Sequence, residues 1–153
     1  MTTWLRILLI SLILGLPGVS FGADFKTGDE QLNRWLINID FVAQGKDRMK
    51  VVESIANQYS TNAEQLGILQ ENYEFSPGQL HVLLATFQVT EKDWSDLIAE
   101  FIRHDPTRYE KFLAAVGISS SSDNLKQFKS LIAKSAPEGD PEADYQKQRR
   151  RGH

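Results

Sequence analysis

Apolar side chains recur through most of this chain at spacings of three and four residues, and each run opens on a residue suited to capping a helix. That period places the apolar residues on one face of an α-helix, whereas a half-buried strand would alternate every second residue. Seven segments carry the pattern. The first holds Leu32, Trp35, Leu36 and Ile39, behind a T-x-x-E box at Thr27 and Glu30, with Gly45 placed to close it. The second holds Val52, Ile55, Ala56 and Tyr59, with Met49 one turn earlier. The third opens at Thr61 with Glu64 and carries Ala63, Leu66, Leu69 and Tyr73. The fourth opens at Ser76-Pro77, a cap followed by a proline at the first helical position, and carries Leu80, Leu83, Leu84 and Phe87. The fifth opens at Thr90 with Asp93 and carries Trp94, Leu97, Ile98 and Phe101. The sixth opens at Asp105-Pro106, carries Tyr109, Phe112, Leu113 and Val116, and ends at Gly117. The seventh follows Ser119–Ser122 and carries Leu125, Phe128, Leu131 and Ile132.

A cap contributes on the order of 1 kcal/mol. Burying one large apolar side chain contributes about 1.5–3 kcal/mol. Packing of the stripes therefore decides the fold, and the caps set the boundaries. Short helices joined by short links pack as successive hairpins. The expectation is an all-α domain over residues 23–136, a compact bundle of six to seven short amphipathic helices. The chain has no cysteine, so its stability rests on packing without disulfides, and cysteine nucleophiles, thiol redox chemistry and cysteine zinc sites are excluded.

Ahead of the bundle, Trp4 to Leu16 form an apolar run interrupted by Arg6 and Ser11, and Pro17-Gly18 break it. The run is shorter than the roughly 20 apolar residues a membrane span needs. Ser20 and Gly22 supply small residues at the −3 and −1 positions of a signal-peptidase site. Residues 1–22 are accordingly read as a secretory signal peptide cut between Gly22 and Ala23. A mature protein in the periplasm or outside the cell follows, with no stable membrane insertion after cleavage. No cysteine follows the run to take a lipid. All 20 acidic residues lie beyond this segment, and of the 17 basic ones only Arg6 lies within it. The mildly acidic remainder has no broad attraction to nucleic acid or anionic lipid.

From Pro137 the sequence becomes PEGDPEADYQKQRRRGH. With two prolines, two glycines and little apolar content, residues 137–153 are expected to be disordered. Their charges are segregated, acidic residues preceding Lys147, Arg149, Arg150 and Arg151.

No sequence signature of catalysis or of a cofactor is present. No two of His81, His104 and His153 stand at the i, i+4 spacing of a helical metal site, and no phosphate loop, dinucleotide fingerprint or nucleophile elbow occurs. Asp93, Asp96 and Glu100 fall on the helix face opposite Trp94 and Leu97, where solvated charge belongs.

Two stretches resemble known modules. VVESIANQYSTNAEQLGILQE resembles a helix-turn-helix, with Ile55, Ala56, Leu66 and Leu69 at its apolar positions. Ser60 replaces the usual turn glycine, and the recognition positions hold Asn62, Glu64 and Gln65 where basic residues would serve DNA. DNA binding also conflicts with export. Residues 54–80 resemble the glycan-binding LysM module through Ser54-Ile55-Ala56, Tyr59, Ala63-Glu64-Gln65-Leu66, Asn72 and Pro77-Gly78-Gln79-Leu80. That resemblance implies peptidoglycan or chitin recognition. It departs at both strands, Gly45-Lys46-Asp47-Arg48-Met49 replacing the opening one and LHVLLATF, with helical spacing, the closing one.

The functional expectation is an exported, non-enzymatic helical protein that binds another exported or envelope protein as an adaptor, chaperone or inhibitor, with no cofactor, metal or nucleic acid. Cell-wall glycan binding through residues 54–80 is the alternative. Candidate partner contacts are Tyr73 and Phe75, at a helix junction, and Arg149, Arg150 and Arg151 in the tail.

Overall fold

The computed structural model describes residues 24–104 and 108–151. The signal segment with Gly22 and Ala23, and the Asp105-Pro106 pair, lie outside the described residues. Eight helices follow in order: α1 (Glu30–Ala43), α2 (Arg48–Gln58), α3 (Ala63–Tyr73), α4 (Pro77–Thr90), α5 (Trp94–Arg103), α6 (Tyr109–Ala115), α7 (Asp123–Ala133) and α8 (Pro141–Arg151). The described residues contain no strand, so the fold is an all-α bundle. No helix among them is long and apolar enough to cross a membrane.

The seven apolar stripes correspond to α1–α7, but four of them start later than their sequence motifs; α6, read as opening at Asp105-Pro106, begins at Tyr109 with Arg108 at its N-cap and no side-chain cap bond. Asp29 caps α1, its Oδ1 accepting from the Leu32 amide at 2.9 Å. Thr27 instead donates its amide and hydroxyl to Asn33 Oδ1. Asn62 caps α3 in place of Thr61, and Asp93 caps α5 in place of Thr90, which belongs to α4. At these three caps a short amide or carboxylate side chain reaches a free first-turn N–H. At α4 the sequence reading holds: Ser76 Oγ accepts from the Gln79 amide, and Gln79 Oε1 accepts from the Ser76 amide.

α1, α2, α3, α4 and α6 are each closed by a residue of positive φ, whereas α7 is not. Gly117 (φ +91°) follows α6, with bonds from the Ile118 amide to the Leu113 carbonyl and from the Gly117 amide to the Ala114 carbonyl. The same pair of bonds closes α2, from the Thr61 amide to the Ala56 carbonyl and from the Ser60 amide to the Asn57 carbonyl. There Ser60, at φ +52°, does the work of the missing turn glycine.

α4 is the centre of the bundle, touching α1, α2, α5 and α7. Every residue from Gly78 to Thr86 is buried, Gln79, His81 and Thr86 among them, so α4 is enclosed all round rather than on the single stripe its leucines imply. Phe87, placed on that stripe by the sequence, is exposed. Thr86 satisfies its hydroxyl by donating to the Val82 carbonyl at 2.7 Å. Asp40 on α1 accepts from the Gly78 amide at 2.6 Å, tying the start of α4 to α1. Across the bundle, Lys129 on α7 pairs with Asp29 at 2.5 Å and lies over the Trp35 ring.

Residues 137–153, expected to be disordered, carry α8 as far as Arg151. Asp140 accepts from the Ala143 amide, Pro141 stands at the first helical position, and Asn38 of α1 accepts from the Glu142 amide. Tyr145 packs on Phe41 with centroids 5.6 Å apart. The segregated charges now have a reason: Glu142 and Asp144 lie in the first turn and Arg149, Arg150 and Arg151 in the last, matching the helix dipole.

Both strands of the LysM pattern are replaced by helix. Residues 48 and 49 begin α2, and LHVLLATF is the interior of α4.

Candidate functional site

Four of the six exposed large apolar side chains among the described residues, Ile68, Tyr73, Phe87 and Ile102, fall on α3, α4 and α5. Their helices use the buried faces inward, through Leu66, Leu69, Leu97 and Phe101, and leave these side chains outside. Trp94 and Ile98, both half-buried, line the same surface as Ile68 and Tyr73. Trp94 meets the Phe87 ring edge-on at 5.1 Å. A depression of about 290 Å³ lies between α3 and α5 and is lined by Ile68, Tyr73, Trp94 and Ile98. A neighbouring one of about 220 Å³ is lined by Tyr59, Leu84, Phe87 and Trp94. The two share Thr61, Gln65 and Trp94, so they form one continuous surface.

Of the candidate contacts read from sequence, Tyr73 belongs to this surface at 46% exposure, whereas Phe75 is 8% exposed and packs edge-on against Phe101. The two rings stack on one another at 5.4 Å, so Phe75 supports Tyr73 from within. Arg149, Arg150 and Arg151 are exposed on α8, which packs on α1. Sequence reasoning missed Ile68, Phe87 and Ile102. Their exposure follows from which helices flank α3, α4 and α5, which periodicity alone does not reveal.

The surface sits in an acidic part of the chain. Residues 61–104 contain seven carboxylates, with Lys92 and Arg103 the only lysine or arginine. The carboxylates of α5 have structural partners. Asp93 accepts from Ser95 and from the first-turn amides, and these bonds, led by the Ser95 hydroxyl, hold its carboxyl below the usual range. Glu100 pairs with Arg103 and His104. Among the described residues no group of three or more His, Asp or Glu side chains is placed to hold a metal ion.

A second concavity, of about 550 Å³, opens between α1, α2, α4 and the end of α7. Ile39 and Val42 of α1 and Val51 and Ile55 of α2 give it apolar walls. His81, 3% exposed, forms part of its floor, with Nδ1 3.1 Å from the Tyr59 hydroxyl. Burial pushes the His81 pKa down to about 4 and raises that of Tyr59, so both are neutral at pH 7. Lys46, Lys50 and Lys134 stand around the cleft, all exposed. These lysines come from distant parts of the sequence, and no motif announced them.

No protein-family model, curated protein or solved structure matches the chain.

Proposed function

We propose that this chain is an exported, non-enzymatic binding protein that takes a basic amphipathic segment of another exported or envelope protein on its α3–α5 face. It would work as an adaptor, chaperone or inhibitor in the periplasm or outside the cell. The observation that carries this reading is the concentration of exposed apolar side chains around Trp94, within a segment of seven carboxylates and two basic residues. Contiguous apolar surface of this kind marks interaction sites. Trp and Tyr are the side chains that most often dominate binding energy. The excess of carboxylates on the segment that carries this face, residues 61–104, favours a partner with lysine or arginine beside its apolar anchors, since opposed potentials set specificity and speed of encounter.

The test uses the purified protein as bait for exported proteins, beside an Ile68→Asp/Tyr73→Asp double variant. Both side chains are exposed, so circular dichroism should show the variant folded. A protein retained by the native bait and lost from the variant supports the reading. Equal retention by both, or no specific retention, overturns it.

A further inference from the structure

We propose that the cleft between α1, α2, α4 and α7 is a binding site for an amphipathic carboxylate, a medium-chain fatty acid being the simplest member of the class. Its volume of about 550 Å³ falls within the usual range for small-molecule sites. The walls and the rim differ in chemistry. Ile39, Val42, Val51 and Ile55 form an apolar wall, against which an apolar body is accommodated without loss of hydrogen bonds. The rim carries three ammonium groups, on Lys46, Lys50 and Lys134. None of the three is engaged in an ion pair among the described residues, although seven other pairs form there.

The one carboxylate lining the cleft, Asp47, already accepts from the Lys50 amide as the cap of α2. The rim therefore keeps a net positive charge in a chain whose net charge is −3. The floor does not offset it. His81 is neutral, Gln58 donates to the Leu131 carbonyl and accepts from the Ser135 hydroxyl, and these bonds tie α2 to the end of α7 beneath the rim. An anionic head at the rim with an apolar tail directed inward satisfies both sets of groups. A purely polar anion leaves the walls in water, and a neutral amphiphile leaves the lysines unmatched. This site is separate from the α3–α5 face, so either proposal can fail without the other.

The experiment is calorimetric titration of the full chain with decanoate, decanol and acetate at low salt. Saturable one-to-one binding of decanoate is expected, with decanol and acetate each at least about tenfold weaker. Each single Lys→Ala change at position 46, 50 or 134 should weaken decanoate about three- to fivefold, the scale of one exposed charge contact. The triple Lys→Glu variant should lose binding altogether, and raising the salt should weaken the native protein in parallel. These side chains are exposed, and unchanged circular dichroism establishes that the variants fold. Equal affinity for decanol, equal affinity for acetate, unaltered decanoate binding in the triple variant, or no decanoate binding at millimolar concentration would each overturn the proposal.

Discussion

His81 is held inside the bundle against Tyr59, and burial moves its pKa from about 6.5 down to about 4. Between those two values the unfolded chain binds a proton that the folded chain refuses. Stability therefore falls as the pH drops through this window, and the loss approaches about 3 kcal/mol once the pH lies below the folded value. Asp29 does not obscure the upper part of the window. Burial works to raise its carboxyl, but the bonds from Lys129 and the Leu32 amide outweigh burial and hold it below the ordinary range. His81→Gln removes the titration while retaining an amide able to meet the Tyr59 hydroxyl. Chemical denaturation from pH 6.5 to pH 5 is expected to show a steeper decline for the native chain than for the variant. Parallel curves would mean that the ring charges without cost in the folded state. This property was not legible in the sequence, where His81 is one polar residue in a helix. Its burial comes from α4 being enclosed on all sides. The capping residues show the same limit on a smaller scale. Asp29, Asn62 and Asp93 displaced nearby threonines as caps because their side chains reach the first-turn amides in the register the packed helices adopt.

At the scale of elements, the apolar stripes of α1–α7 were legible because each helix buries one face, and the stripe records that face directly. α8 was not, because nothing in it is buried. Its order comes from polar and aromatic contacts with α1: Asn38 with the Glu142 amide, Arg34 with Asp140 at 3.7 Å, and Tyr145 on Phe41. A tilted aromatic pair contributes about 0.5–1.5 kcal/mol and an exposed ion pair about 0–1 kcal/mol. α8 is thus held on the bundle by a small margin, and the bundle does not depend on it. Removing residues 138–153 is expected to shift global stability by less than about 3 kcal/mol, set by the contacts just named. Circular dichroism should lose only the helical signal of α8. Urea denaturation of the truncated chain checks this, and a truncated chain that cannot fold would show that α8 belongs to the core. The candidate sites divide along the same line. Tyr73 could be picked out in the sequence from its place at a helix junction, but the lysine rim could not. Lys134 follows Lys46 and Lys50 by more than eighty residues, and only the packing of α7 beside α2 brings them to one cleft.

For the whole molecule, the decisive relation is that four helices share α4 as a common wall. Both candidate surfaces depend on it, since the cleft includes His81 and the α3–α5 face includes Leu84 and Phe87. At Gly78 α4 lies tight against its neighbours. A Cβ built there would lie 2.6 Å from Phe25 Cζ, 3.0 Å from the Leu36 carbonyl oxygen and 3.1 Å from Asp40 Oδ1. Two of these three belong to α1, and the third to a buried ring stacked on Tyr109 of α6. Gly78→Ala must therefore displace Phe25 or part α1 from α4, which strains the amide bond that Asp40 accepts. Overpacking of a filled core costs about 1–3 kcal/mol. Alanine's better helix propensity returns at most about 1 kcal/mol of this. The variant is expected to be less stable, with the loss shared by the entire bundle. Trp35 lies on α1 and Trp94 on α5, at two different faces of α4's surroundings. In urea, single-tryptophan versions retaining one or the other should report the same lowered midpoint with an unchanged m-value, because a helix touching four partners unfolds with them as one unit. Separate midpoints for the two probes would show that the faces of α4 come apart independently, and an unchanged midpoint would show that the α1–α4 contact is looser than the distances around Gly78 require.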